Sequence, residues 1–276
     1  MSSDTRQSSG RRATRGNSPG SASKPKHLAE PSARKPRPKK VVNELLENDL
    51  IRRVSYDQYR GKVQEVYAGP KGAILSKCSQ LSGHVALGER MFRRRQFDLR
   101  GCREILDVGS GAGQILGHLL KYADAEAHIT GIDISRPMLQ RARRRLKSNR
   151  PDLVAADLAN LPFADASFDC VTCGYVLEHM PEASTGLSEL ARVMRPGGRM
   201  LLFTTEDSFG GAWTSRIWCC RTYNRRELLE TCRAQNLHVL QELWFTPIHK
   251  LLRAGGICVE LEKRTATVDA PLDAPD

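Results

Sequence analysis

The ten residues Glu104-Ile105-Leu106-Asp107-Val108-Gly109-Ser110-Gly111-Ala112-Gly113 constrain this chain more than any other stretch. An apolar run ends at Asp107 and Val108, three alternating glycines follow, and the next residues carry an amphipathic helical pattern. That succession predicts a strand, a tight turn and a helix start, the arrangement at which α/β proteins bind nucleotides. The spacing narrows the ligand. A dinucleotide fingerprint is G-x-G-x-x-G/A, so that backbone free of side chains can touch a pyrophosphate. Here the third glycine arrives one residue early, at Gly113, and Gln114 takes the position reserved for Gly or Ala. The turn can admit a nucleoside closely without being the usual phosphate cradle.

Downstream, strand and helix patterns alternate. Strands are predicted at 104–109, 128–133, 152–156, 168–173 and 199–205, with helices following Gly113 and at 137–147 and 184–194. Arg195-Pro196-Gly197-Gly198 should stop the last of these helices. A capped helix at 225–235 and strands at 237–245 and 256–263 complete the pattern. The expected fold class is α/β, with a doubly wound, mostly parallel, seven-stranded sheet. Ahead of it, residues 41–100 read as a helical cap: a short helix from Val41 to about Arg53, a segment carrying Tyr56, Tyr59 and Tyr67, and a helix from Ala73 to about Phe97. The expected domains are a disordered basic tail at 1–40, the cap at 41–100, the α/β domain at 101–265 and a flexible C-terminus at 266–276.

The chain's net charge of +12 suggests nucleic acid until it is located. Residues 1–40 hold eleven Lys and Arg against Asp4 and Glu30, so most of the excess sits in a segment with almost nothing to bury. Three readings of that tail stay open: a solubility tether, an electrostatic arm for nucleic acid or an anionic membrane surface, and an organellar transit peptide. No apolar run approaches the roughly 18 residues of a membrane span. The eight cysteines show no disulfide framework, which points to a reducing compartment and a cytoplasmic location, peripheral to a membrane if the tail binds lipid. Cys170 and Cys173 form a C-x-x-C, but residues three apart on a strand face opposite ways and cannot close jointly on one metal. They are expected as two core cysteines, and no metal site is expected.

Five pieces in order resemble the class I S-adenosylmethionine (SAM)-dependent methyltransferases, of the type 11-like group that contains quinone C-methyltransferases and other small-molecule methyltransferases. They are the Asp107-to-Gly113 motif, Gly131-Ile132-Asp133-Ile134-Ser135, Ala156-Asp157-Leu158 running on to Leu161-Pro162-Phe163, Asp165 to Val171, and Arg192 to Arg199. The resemblance covers about residues 75–265 and implies a Rossmann-like methyltransferase fold with SAM as cofactor. It implies that Asp107, Gly109, Ser110, Gly111 and Gly113 form the cofactor turn and that Asp133 accepts hydrogen bonds from the ribose hydroxyls. Ile134 and Met138 would flank the adenine, Asp157 and Leu158 would meet its amino edge, and Tyr175 lies where the family closes on the methionine part.

Methyl transfer from a sulfonium needs orientation more than acid–base help. An acceptor that must lose a proton needs a base, and His179, just past the fourth strand, is the candidate; the competing reading packs it under the turn as a structural residue. Tyr56, Tyr59, Tyr175 and Trp213 are candidates to face the cation. The aromatic stretch Ser208 to Trp218 should help roof an acceptor pocket. Neither an Asn-Pro-Pro-Tyr type tetrapeptide nor a Pro-Cys pair is present, which favours a small, hydrophobic or lipid-like acceptor. The alternative is an RNA or protein methyltransferase that uses the basic tail to capture its substrate.

Overall fold

The computed structural model describes residues 50–69, 84–244, 247–252 and 256–264. The tail, the start of the expected first cap helix, the Ala73 end of the expected cap helix and the C-terminus lie outside the described residues.

The sheet is built as the alternation requires. Strands β1 (Glu104–Val108), β2 (His128–Asp133), β3 (Asp152–Ala155), β4 (Phe168–Gly174), β5 (Met194–Thr204), β6 (Leu237–Glu242) and β7 (Ile257–Lys263) stand in the order β3-β2-β1-β4-β5-β7-β6. The first five pair in parallel, while β7 runs antiparallel to both β5 and β6, so the sheet is mixed. β1 and β4 are neighbours although four elements separate them in sequence. The chain therefore reverses its direction of winding at β1, and the carboxyl ends of β1 and β4 open a crevice.

Alternation along each strand sorts side chains into two cores. Leu106, Val108, Val171 and Cys173 pack on one face with Leu187 and Leu190. Ile105, Cys170 and Leu201 pack on the other with Leu116 and Leu119. Cys170 and Cys173 thus lie on opposite faces, both buried, as the period of two demands.

Helices α1 (Leu50–Arg53), α2 (Tyr56–Ala68) and α3 (His84–Arg93) precede the sheet; α4 (Gln114–Tyr122), α5 (Arg136–Leu146), α6 (Ala183–Val193), α7 (Phe209–Trp218), α8 (Arg225–Ala234) and α9 (Pro247–Leu252) connect its strands. Ser55 caps α2 by accepting from the Gln58 N–H, and Asn224 caps α8 by accepting from those of Arg226 and Glu227.

Several boundaries differ from the sequence expectation. The helix expected to run to Phe97 ends at Arg93, because Arg95 turns left-handed and buries Phe97 in the core. β5 begins at Met194, ahead of the expected Arg199. Met194 pairs with Phe168, and the register then jumps to Arg199 opposite Cys170, which leaves Arg195 to Gly198 as a bulge. β6 stops at Glu242, short of residue 245, so Trp244 lies beyond the strand. Residues 209–218, within the aromatic stretch expected to roof the acceptor pocket, form helix α7.

Candidate functional site

The turn after β1 needs its glycines. Gly109, Gly111 and Gly113 adopt φ of 77°, 51° and 80°, where a side chain is strained. A Cβ on Gly109 would also lie 2.1 Å from Val176 Cγ2. The N–H groups of Gly109 and Ser110 both donate to the Ile132 carbonyl, which draws the turn across to β2. Behind it, Asp107 is fully buried. Thr172 Oγ1 donates to its Oδ1 at 2.6 Å, and burial pushes the carboxyl up to about 6.

In front of the turn lies a cavity of about 770 Å³, within the range of small-molecule sites, about 300–1,000 Å³. Gly109, Gly111, Asp133, Ile134, Met138, Asp157, Leu158, Tyr175 and His179 all line it. Of the residues singled out from the sequence, Asp107, Ser110 and Gly113 stand behind this wall. Ser110 donates from Oγ to the Asp107 carbonyl, and Gly113 lies against Ala142 and Leu146 of α5, so these three shape the turn.

Asp133 ends β2 with each carboxylate oxygen accepting one backbone N–H, from Gly111 at 2.9 Å and from Ser135 at 2.8 Å. Burial raises its pKa. Each oxygen keeps a further lone pair. Asp157, after β3, accepts from Arg60 Nη1 at 2.8 Å, Tyr56 Oη at 3.2 Å and the Ala159 N–H at 2.9 Å.

Helix α2 supplies a wall of which only the tyrosines were expected, not Arg60, Val63 or Gln64. Tyr56, Arg60, Val63, Gln64 and Tyr67 recur at helical spacing and all line the cavity. Gln64 Nε2 donates to the Ile134 carbonyl, and Arg141 of α5 donates to that of Tyr67. That three-and-four periodicity, with a cation and an amide on the same face as the tyrosines, was the available signal.

His179 sits between two tyrosines. Its Nδ1 is 2.7 Å from Tyr59 Oη and its Nε2 is 3.2 Å from Tyr67 Oη. Tyr59 Oη also bonds the Cys219 carbonyl at 2.7 Å, and a carbonyl can only accept. The single Tyr59 proton therefore goes to Cys219, His179 donates from Nδ1 to Tyr59, and Nε2 accepts from Tyr67. Burial holds the imidazole down to about 4, so it is neutral at pH 7. Tyr67 in turn stacks on Trp218 of α7 with ring centroids 5.1 Å apart.

Glu178, adjacent in the short 3₁₀ turn Leu177–His179, also lines the cavity and was not anticipated. Its Oε1 and Oε2 accept from the hydroxyls of Thr205 and Thr204, each at 2.7 Å. Burial pushes this carboxyl up to about 7. An acidic residue in the run Tyr175-Val176-Leu177-Glu178-His179-Met180 was its only sequence signal.

With this geometry in place, comparison with known proteins is decisive at the domain level. The methyltransferase domain family, type 11, matches residues 106–202, from the core of β1 to the core of β5. The chain carries a class I SAM-dependent methyltransferase domain.

The methyltransferase domain is 39% identical over 105 residues to a "Ubiquinone/menaquinone biosynthesis C-methyltransferase UbiE" of Desulfotalea psychrophila, a match covering 38% of this chain and 42% of that protein. It is 40% identical over 124 residues to a "Demethylmenaquinone methyltransferase" of Beutenbergia cavernae, covering 43% and 49%. The chain thus spans under half the length of these curated relatives. Among solved structures, magnesium protoporphyrin IX methyltransferase from Synechocystis, determined with bound SAM, shares the fold. It has a TM-score of 0.58 at 18% identity over 75% of this chain and 97% of that one.

The cavity's donor set fits the cofactor of this domain class. A side chain on Gly111 would project toward the Met138 methyl, 3.7 Å from its Cε, into the space between the turn and α5. Asp133 keeps acceptor capacity on both oxygens, and α2 and α7 supply aromatic faces.

Proposed function

We propose that this methyltransferase domain transfers a methyl group from SAM to a small, hydrophobic acceptor, and that the acceptor is a quinone-type ring methylated at carbon. The observation carrying the cofactor half is the convergence of Gly109, Gly111, Asp133, Ile134, Met138, Asp157, Leu158 and Tyr175, from four separate loops, on one cavity. The printed activities of the two relatives support the acceptor half.

SAM supplies an activated methyl on a positively charged sulfur. Asp133 accepts the ribose hydroxyls on the lone pairs its backbone donors leave free. Hydrogen bonds to a charged acceptor are worth about 1.5–3 kcal/mol each. Ile134 and Met138 flank the adenine, Leu158 packs at its edge, and Asp157 receives its amino group when Arg60 yields. Gly109 and Gly111 let the backbone approach, with Asp107, Ser110 and Gly113 bracing the turn from behind. Tyr175, exposed beside Phe203, borders the methionine part. His179, neutral and with Nε2 as its accepting atom, orients the acceptor by accepting a hydrogen bond where an acceptor hydroxyl replaces that of Tyr67. Helices α2 and α7 exclude water.

Two measurements test this reading. In calorimetry, Asp133→Ala should weaken SAM binding at least about tenfold, or about 1.4 kcal/mol; unchanged affinity removes the cofactor assignment. Tritium from methyl-labelled SAM, incubated with the protein and a cell extract, should appear in the lipid fraction. Label confined to RNA or protein overturns the acceptor and favours capture of a macromolecule.

A further inference from the structure

Glu178 is a buried carboxyl on the wall of a cavity read as the site of a cationic cofactor. It is 2% exposed, and its side-chain hydrogen-bond partners are the neutral hydroxyls of Thr204 and Thr205. Among the described residues no cation forms a salt bridge with it. The titratable groups around it are Tyr59 and Tyr67 from α2, Cys173 and Tyr175 from β4 and its end, and Cys220, Tyr223 and Arg221 from the segment after α7, the Arg221 guanidinium being taken up by the carbonyls of Met180 and Pro181. Desolvation and the neighbouring Glu178 carboxyl push every one of these phenols and thiols upward, so all are uncharged at pH 7. His179, next along the chain, is also neutral. An ionised carboxylate in such surroundings is costly unless a positive charge arrives.

We propose that Glu178 is the counter-charge for the cationic sulfur of SAM: its carboxyl is partly protonated in the ligand-free protein at pH 7 and releases that share of a proton to solvent when the cation binds. S-adenosylhomocysteine is uncharged at sulfur and otherwise carries the same ionisable groups, so it draws out no such proton. A nearby opposite charge favours the ionised acid, and its removal restores the protonated form. The cavity thereby distinguishes cofactor from spent product by one charge. This inference rests on the cofactor reading above and adds a residue that none of the family-like motifs assigned.

The test is titration calorimetry of the full chain with SAM and with S-adenosylhomocysteine at pH 7, each in phosphate and in Tris, whose protonation enthalpies differ. A carboxyl near half-protonation has up to about half a proton to give, so SAM should release several tenths of a proton more than S-adenosylhomocysteine. The excess should vanish in Glu178→Gln and, in the wild type, fade by about pH 9, where the carboxyl is already ionised. Thr205→Val removes a hydrogen bond that favours the charged form, so it should enlarge the excess at pH 7. Equal proton release by the two ligands, an excess persisting in folded Glu178→Gln, or a wild-type excess constant to pH 9 overturns the proposal. The pH series decides if Glu178→Gln does not fold. Absence of heat with either ligand at any pH instead overturns the cofactor reading itself, and this inference with it.

Discussion

Arg60 and Asp157 lie 97 residues apart in sequence, and Arg60 Nη1 stands 2.8 Å from Asp157 Oδ2. The pair ties helix α2 to the loop after β3 across the wall of the cavity. Tyr56 reinforces it from the same helix by donating to Asp157 Oδ1. The carboxylate expected to meet the adenine is therefore already engaged by side chains of α2.

Breaking this clasp should change kinetics more than stability. Arg60 is 39% exposed, and exposed ion pairs contribute only about 0–1 kcal/mol. Arg60→Ala should leave the thermal midpoint within a few degrees of wild type. It should also speed SAM association several-fold in stopped-flow fluorescence. Slower association would show that Arg60 guides the cofactor in and does not hold α2 shut.

The His179 tautomer is fixed by the one proton on Tyr59. Nitrogen-resolved NMR should show a neutral ring protonated at Nδ1, with no titration between pH 5 and pH 8, because burial holds the group near 4. Tyr59→Phe removes the acceptor at 2.7 Å and should disturb the Nδ1 signal. A wild-type ring protonated at Nε2, or an inflection near the ordinary imidazole value of about 6.5, would contradict the network.

Asp107 should make stability pH-dependent in a recognisable direction. Its folded pKa, about 6, lies above the ordinary carboxylate value of 3.8, so the native state binds more protons than the unfolded state between those limits. Ionising this carboxyl therefore costs stability as pH rises through 6, and the cost is absent below about 4. Asp107→Asn lacks the titration. Its unfolding free energy relative to wild type should rise by about 2–3 kcal/mol between pH 4 and pH 7, measured in urea. A flat difference across that range would mean that the carboxyl is not perturbed.

Arg225 holds the far wall together. It is buried, donates to both oxygens of Glu206 at 2.9 Å and to Glu242 at 2.9 Å, and lies 4.5 Å over the Trp244 ring. Arg225→Met removes the guanidinium from a buried ion pair, so it should cost about 3–5 kcal/mol in chemical denaturation. Adding Glu206→Gln should recover a good part of the loss. A single variant as stable as wild type would show that water already reaches Glu206.

The strands, their alternation and the glycine turn were legible because their signals are local. The period of two placed Cys170 and Cys173 on opposite faces, and Asp107-Val108-Gly109 announced the strand end from its own residues. Helix α7 was not legible for the opposite reason. Gly210-Gly211 reads as a hinge in isolation, yet a Cβ on Gly211 would lie 1.8 Å from the Glu206 carbonyl oxygen. The glycine is there so that a helix can start against the backbone of the preceding loop. Trp244 likewise reads as strand core, but its ring serves the Arg225 guanidinium.

From the residues themselves came the order of elements, the crevice at the end of β1 and the carboxylate at the end of β2. Each follows from backbone geometry within a dozen neighbouring positions. Folding alone decided which carboxyls keep a proton, which nitrogen of His179 carries hydrogen, and that Arg60 would reach Asp157. Those properties depend on burial and on partners far away in the chain, and contacts of that kind leave no periodic trace in the sequence.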